Sequence, residues 1–142
     1  MVAGQLLDLA AEDRPVDAVG LEAIHRRKTG ALLGVSLRLG AIAAGAGEPQ
    51  LAALSVYGRE LGLAFQIVDD VLDVTSTAET LGKTAGKDVA AGKSTYPGLY
   101  GVEGARALAA GRVGRALSAL RRAGVDAPEL DALARFVLTR DS

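Results

Sequence analysis

Three aspartates lie within an otherwise apolar stretch of this chain, residues 65–73, which reads Phe-Gln-Ile-Val-Asp-Asp-Val-Leu-Asp. On an α-helix with about 3.6 residues per turn, Gln66, Asp69, Asp70 and Asp73 share an arc of about 100 degrees. The rest of the circumference is apolar, whereas an ordinary surface helix has a wide polar face and an apolar stripe. This inverted pattern predicts that the acidic stripe lines an internal cavity.

Carboxylates crowded into a cavity lose hydration and repel one another, so they require compensating positive charge. Mg²⁺ takes oxygen ligands and often bridges carboxylates to substrate phosphates. We therefore interpret Asp69, Asp70 and Asp73 as a magnesium site. A solvated helix face or a helix cap also accounts for the Asp-Asp-x-x-Asp spacing, but buried acids are rare unless they are paired or bound to metal.

Three lysines could supply cations that face these carboxylates, namely Lys28, Lys83 and Lys93. Each lies beside glycine, serine or threonine, so an ammonium and neighbouring N–H or O–H donors could together bind a phosphate group. Neither Gly-Lys-Thr nor Gly-Lys-Ser is a P-loop here, because the upstream glycine pattern and the preceding strand are lacking. Taken singly, such a lysine is more often a solvated loop charge. Together with the acidic stripe, the three predict Mg²⁺-bridged binding of a diphosphate.

Composition narrows the classes of function. The chain has 142 residues, enough for one domain with a sizeable core, and a net charge of -1, so no overall field attracts nucleic acid. The absence of cysteine excludes thiolate catalysis. The presence of only one histidine, His25, excludes a histidine-rich metal site. No signal peptide is visible, and Arg38 interrupts the most hydrophobic run, so we expect a soluble, cytoplasmic protein without membrane insertion.

Periodicity predicts helices throughout and an all-α fold, since no run alternates apolar and polar residues for long enough to form a strand. Gly58 and Gly62 lie inside one of the expected helices, where a missing side chain could admit either a ligand or a neighbouring backbone. Residues 75–95 are poor in large apolar side chains and are expected to form a loop. The helices are expected over residues 2–11, from Asp17 to about Lys28, from Thr29 to Ala44, from Pro49 to Val74, from about Glu103 to Ala123, and from about Pro128 onward.

The order of these motifs resembles the carboxy-terminal half of head-to-tail trans-isoprenyl diphosphate synthases, and is most similar to bacterial farnesyl or geranylgeranyl diphosphate synthases. The resemblance runs along nearly the whole chain, and the ordered set is far more specific than any one motif. The matching segments are Met1-Val2-Ala3-Gly4-Gln5-Leu6-Leu7-Asp8, Ile24-His25-Arg26-Arg27-Lys28-Thr29-Gly30, the acidic segment from Gly62 to Asp73, Leu81-Gly82-Lys83, and Gly92-Lys93-Ser94-Thr95-Tyr96-Pro97.

The resemblance implies an all-α bundle, usually a homodimer, that condenses isopentenyl diphosphate with an allylic diphosphate by ionisation, condensation and elimination, with Mg²⁺ as cofactor. It implies that Asp69, Asp70 and Asp73 bind the metal, Asp69 as the main ligand and Asp73 through water. By the same resemblance Lys28, Lys83 and Lys93 hold the allylic diphosphate. The oxygens of Thr29 and Gln66 favour the positive charge that develops on the reacting carbon. Gln5 and Asp8 are expected near the same cavity.

One departure from the family pattern is large. The family has a first aspartate-rich motif upstream, with flanking basic residues, and this chain contains no second Asp-Asp pair. We therefore expect residues 1–142 to form a partial synthase domain, beginning partway through a helix and inactive alone. Two alternatives are a non-catalytic helical partner that regulates a complete synthase, and a class I terpene cyclase. The usual second metal motif of the cyclases, which mixes Asn, Ser or Thr with Glu, does not occur here.

Overall fold

The computed structural model describes residues 2–11, 14–75 and 94–140, and within these ranges the chain is helical without strands. The all-α prediction is therefore confirmed for the part of the chain that is described. Six α-helices occur in order, with one π-helical turn between the second and the third: α1 Val2–Ala10, α2 Ala18–His25, the π turn Arg26–Gly30, α3 Ala31–Ala43, α4 Glu48–Thr75, α5 Tyr96–Arg122 and α6 Pro128–Thr139.

Helix α4 forms the centre of the bundle and contacts α2, the π turn, α3, α5 and α6. Its side chains at Tyr57, Leu63, Ile67 and Val71 are fully buried. Among the described helices, α4 alone has the length and composition to cross a membrane, but 67% of its most apolar window is buried inside the chain. Its apolar character is therefore that of a core helix, and this helix carries the acidic stripe.

The expected division into one helix that ends near Lys28 and a second that begins at Thr29 is wrong. Asp17 does cap α2, since its side chain accepts a hydrogen bond from the Gly20 backbone N–H at 2.8 Å. The chain then stays helical through the π turn and continues directly into α3. Single π turns within α-helices are often found at functional sites, because the inserted residue changes the direction of nearby side chains.

Glycines allow the helix backbones around the π turn to approach closely. A Cβ atom at Gly62 would lie 2.6 Å from the Gly30 Cα, and one at Gly58 would lie 2.8 Å from the Gly34 Cα. A Cβ atom at Gly4 would lie 2.2 Å from the backbone nitrogen of Lys28. Of the two possibilities for Gly58 and Gly62, the structure therefore shows the neighbouring backbone.

Helix α5 begins earlier than the predicted Glu103. Thr95 caps it by accepting a hydrogen bond from the Gly98 backbone N–H at 3.2 Å, and Pro97 occupies the first turn. Gly101 has a φ of 71°, in the left-handed region that favours glycine, and marks a kink after the first turn. The kink explains the error, since the regular helical pattern starts only beyond Gly101.

A cluster of charges joins α2, α4 and α5 beside the core. The buried carboxylate of Glu60 accepts hydrogen bonds from Arg115 at 3.0 Å and from Arg112 at 3.3 Å. Arg112 also donates to Glu22 at 2.7 Å. Burial alone would raise the pKa of Glu60, but the hydrogen bonds and charges of Arg115 and Arg112 outweigh it and lower that pKa. The cluster therefore ties the helix that carries the acidic stripe to two of its neighbours.

Candidate active site

Asp70 is the most deeply buried of the three carboxylates, with a residue exposure of 6%. Its Oδ2 accepts a hydrogen bond from the Tyr96 backbone N–H at 2.9 Å and lies 3.7 Å from Nε2 of His25. The His25 ring stacks on Tyr96 with a centroid distance of 5.7 Å. Because the first N–H groups of a helix lack intrahelical acceptors, Asp70 satisfies the start of α5. One oxygen of this carboxylate thus serves to hold α5 against α4.

A chain of hydrogen bonds leads from the π turn to the acidic stripe. Thr29 Oγ1 donates to Gln66 Oε1 at 2.6 Å, and Gln66 Nε2 donates to Asp69 Oδ2 at 3.0 Å. Gln66 is buried, so both bonds are protected from competition with water. The two contacts fix the orientation of the Gln66 amide and of one Asp69 oxygen. The structure therefore brings together Thr29, Gln66 and Asp69, which the sequence predicts to lie at one site.

Lys28 lies on the same π turn, and its position depends on α1. Its Nζ donates to Asp8 Oδ2 at 2.7 Å, and both side chains are partly buried. Gly4, one turn before Asp8, lets the α1 backbone approach the Lys28 backbone. Asp8 therefore lies beside the π turn, whereas Gln5, which was expected near the same cavity, is exposed on α1. An ammonium has three N–H donors, and Asp8 accepts one of them.

Arg140, immediately after α6, also contacts Asp69. One of its Nη groups donates to Asp69 Oδ1 and, at 3.4 Å, to the Phe65 carbonyl oxygen. Its guanidinium carbon lies 4.1 Å from the centroid of the Phe65 ring, a cation–π contact. Asp69 therefore has contacts on both oxygens, and its side chain is 37% exposed.

The oxygen donors of the stripe fit Mg²⁺ chemically, although they do not form a closed cage. Among the described residues, no group of three or more His, Asp or Glu side chains is arranged to hold a metal ion. Asp69 and Asp70 face different partners, and Asp73, one turn further along α4, is partly buried. Mg²⁺ commonly uses one or two carboxylates, several waters and substrate phosphates, so a closed protein cage is not required.

Comparison with known proteins decides the family. Residues 1–122 match the polyprenyl synthetase family. This chain is a polyprenyl synthetase family member. Helices α1 to α5 and the whole described site, apart from Arg140, lie within the matched residues. The resemblance given by the ordered motifs is therefore confirmed.

Individual relatives of this polyprenyl synthetase chain agree with the match. It is 45% identical over 145 aligned positions to farnesyl diphosphate synthase of Escherichia coli, covering 99% of this chain and 48% of that protein. It is 54% identical over 112 positions to geranylgeranyl pyrophosphate synthase 9 of Arabidopsis thaliana, a chloroplastic protein, covering 77% of this chain and 31% of that protein.

Solved structures agree on the fold. A decaprenyl diphosphate synthase from Rhodobacter capsulatus superposes with a TM-score of 0.85 at 29% identity, over 99% of this chain and 56% of that one. A farnesyl/geranylfarnesyl diphosphate synthase from Zymomonas mobilis superposes with a TM-score of 0.78 at 37% identity, over 96% of this chain and 45% of that one. The chain thus spans about half the length of the solved structures, and a third to a half of the curated relatives, that it matches.

Some predicted site residues are not tested, and some contacting residues were missed. Lys83 and Lys93 lie outside the described residues. His25, Tyr96 and Arg140 contact the acidic stripe, but sequence reasoning assigned them no role in the site. Tyr96 lies in the Lys-Ser-Thr-Tyr-Pro segment that matches the family pattern. This match was the sequence feature that could have indicated its place at the site. Burial, and next the charge of Glu22, raise the pKa of the Tyr96 phenol to about 12.

Proposed function

We propose that this chain supplies the part of a trans-prenyl diphosphate synthase active site that holds the allylic diphosphate and promotes its ionisation. The observation that carries the proposal is the hydrogen-bonded chain from Thr29 through Gln66 to Asp69, with Lys28 on the adjoining turn. The hydrogen-bonded chain joins a carboxylate and two neutral oxygens, and the Lys28 ammonium, bonded to Asp8, lies on the adjoining turn. Binding and ionising a diphosphate require groups of these kinds. Membership of the polyprenyl synthetase family supports the same reaction class.

Each residue has a defined part in this proposal. Asp69, Asp70 and Asp73 hold Mg²⁺, with the more exposed Asp69 as the main ligand, while Asp70 also anchors the start of α5. Lys28, Lys83 and Lys93 hold the diphosphate oxygens through ammonium donors. Mg²⁺ supplies electrostatic stabilisation of the departing diphosphate when it is bound. The oxygens of Thr29 and Gln66 favour the positive charge that develops on the allylic carbon.

We propose that the two substrates are an allylic diphosphate and isopentenyl diphosphate. We also propose that the complete enzyme is a cytoplasmic homodimer. It binds no nucleic acid and does not insert into a membrane. Ionisation, attack by the isopentenyl double bond and loss of a proton then give the longer allylic diphosphate. Because catalysis by positioning fails when one reactant is unplaced, we propose that residues 1–142 alone do not complete this reaction. Plant relatives include chloroplastic and mitochondrial proteins, so the family does not determine the compartment.

Calorimetric titration of the chain with inorganic pyrophosphate tests the binding half of the proposal. We expect heat of binding with Mg²⁺ present, little without it, and at least about tenfold weaker binding in Asp69→Ala and Lys28→Ala, the scale of one charge-assisted contact. Asp126→Ala removes an exposed carboxylate from the turn before α6 and is the matched control. Equal affinity with and without Mg²⁺ would contradict the proposal.

The regulatory alternative predicts a different result in the same experiment. A non-catalytic helical partner needs packing surfaces but has no need of Mg²⁺-dependent pyrophosphate binding. Catalysis itself is measured in a chimera in which the amino-terminal half of the Escherichia coli farnesyl diphosphate synthase precedes residues 1–142. The identity of 45% across the shared portion makes this junction reasonable.

A further inference from the structure

Arg140 is a charged residue with little exposure to solvent. Its side chain is 10% exposed, and it lies against the Phe65 ring while donating to the Phe65 carbonyl oxygen and to Asp69. A buried guanidinium is strongly disfavoured unless its charge is compensated by close partners. The Asp69 carboxylate provides a compensating negative charge.

The contact engages the Asp69 carboxylate, which the proposed function assigns to a metal. Gln66 donates to Asp69 Oδ2 and Arg140 donates to Asp69 Oδ1. We propose that Arg140 is an internal counter-ion that competes with a divalent cation for Asp69. The inference rests on the proposed function, since it requires Asp69 to be a metal ligand. A cation that reaches Asp69 must weaken or displace the guanidinium, and the two positive charges repel each other as it approaches.

Binding of Mn²⁺ alone, followed by electron paramagnetic resonance of the free ion, tests this competition. We expect Arg140→Gln to bind Mn²⁺ about three- to tenfold more tightly than the wild type, the scale of losing one partly buried ion pair. Arg135→Gln is the matched control. It removes the same charge from α6, but Arg135 is exposed and pairs with Asp131 rather than with Asp69. We expect its Mn²⁺ affinity to equal that of the wild type.

Two further variants test whether any change in Mn²⁺ affinity acts through Asp69 and through the charge of residue 140. In an Asp69→Asn background, Arg140→Gln should no longer raise the affinity, because the shared ligand is absent. Arg140→Lys keeps the charge but loses the planar fork, so we expect a smaller rise than in Arg140→Gln. A folding defect would lower the affinity of Arg140→Gln rather than raise it, and circular dichroism of all variants identifies such a defect.

The outcomes distinguish this inference from the proposed function. Asp69-dependent Mn²⁺ binding that Arg140→Gln leaves unchanged or weakens would overturn the competition and leave the metal site standing. Mn²⁺ binding that is equal in the wild type and Asp69→Asn would overturn both. A rise in Arg140→Gln that persists in the Asp69→Asn background would also overturn the competition, since the effect would then be one of overall charge.

Discussion

The hydrogen bond from Thr29 to Gln66 determines how the Gln66 amide is oriented at the candidate site. With Oε1 accepting from Thr29, the amide nitrogen points to Asp69. We predict that Thr29→Val in the chimera lowers kcat about tenfold and stability by about 1 kcal/mol, the scale of one buried hydrogen bond that no longer orients its partner. Steady-state kinetics and denaturant unfolding measure the two effects.

Thr29→Ser is the matched control because it keeps the hydroxyl and loses a methyl group. It should restore most of the lost kcat, while KM for the allylic diphosphate changes little in either variant. Equal kcat in the valine variant and the wild type would show that the orientation of Gln66 is irrelevant to turnover.

The chemical types of the site residues were predictable from the sequence, whereas contacts between residues far apart in the chain were not. The carboxylates on α4 and the ammonium of Lys28 follow from residue type and spacing, and family resemblance adds Asp8. The contact between Arg140 and Asp69 spans 71 positions, and no local pattern encodes it. His25 was noted as the single histidine and as part of a matching segment, but nothing near it in the sequence indicates that its ring stacks on Tyr96.

At the scale of helices, the close contact between Gly30 and Gly62 positions the π turn against α4. A methyl group at Gly62 would overlap the Gly30 backbone, which cannot move as a flexible side chain would. We predict that Gly62→Ala destabilises the chain by about 1–3 kcal/mol, the usual cost of overpacking, despite the better helix propensity of alanine. Denaturant unfolding measures the change.

Gly114→Ala provides the comparison. Gly114 lies within α5 with nothing within 4 Å of a Cβ placed there, so alanine should stabilise by about 0.5–1 kcal/mol. If both variants were stabilised equally, the close approach of the two backbones would be refuted.

The charge cluster around Glu60 predicts a dependence of stability on pH. Folding lowers the pKa of Glu60 because Arg115 and Arg112 stabilise its ionised form. This contribution is complete above the ordinary carboxylate pKa of 4.5 and is lost as pH falls through the lower folded value. We predict that Glu60→Gln loses stability at neutral pH, and that this deficit shrinks as the wild type is titrated into the acid range.

Glu103→Gln, which removes an exposed carboxylate from α5, is the control and should follow the wild-type pH curve. The free energy of unfolding by denaturant at several pH values provides the curves. A constant difference between Glu60→Gln and the wild type at all pH values would contradict the predicted linkage.

Helix existence was predictable from the sequence, whereas two boundaries were not. Caps and glycine stops act locally, so the Asp17 cap and the end of α3 near Gly45 follow from the sequence. The π turn involves a tertiary contact, and the early start of α5 involves one in addition to its local cap and kink. Gly30 packs on Gly62, and the Asp70 carboxylate satisfies the first N–H group of α5. Helix propensity depends on each residue and its neighbours in the sequence, so it predicts neither of these tertiary contacts.

At the scale of the whole chain, α3 presents an apolar face that the described residues do not cover. Leu32, Val35, Leu39 and Ile42 follow helical spacing and are each half-exposed or more. Contiguous apolar surface of this kind promotes association. We predict that the isolated chain forms oligomers at micromolar concentration, and that the pair Val35→Lys and Leu39→Lys reduces them. Analytical ultracentrifugation measures the distribution.

A chain that remains a monodisperse monomer at high concentration would contradict this prediction. The lysine pair also needs its own control, which Arg38→Ala supplies by changing charge on the same helix without removing apolar surface. We expect Arg38→Ala to associate as the wild type does.

The measurement that most directly tests the central claim is the condensation rate of the chimera with and without Asp69. The claim is that this chain supplies the magnesium and allylic diphosphate side of a prenyl diphosphate synthase site. We predict that the chimera forms product from labelled isopentenyl diphosphate and an allylic diphosphate, and that Asp69→Ala lowers kcat by at least about 100-fold, as expected for losing a major electrostatic stabiliser. Asp126→Ala should leave the rate unchanged. Near-normal turnover of the Asp69→Ala chimera at saturating Mg²⁺ would contradict the account.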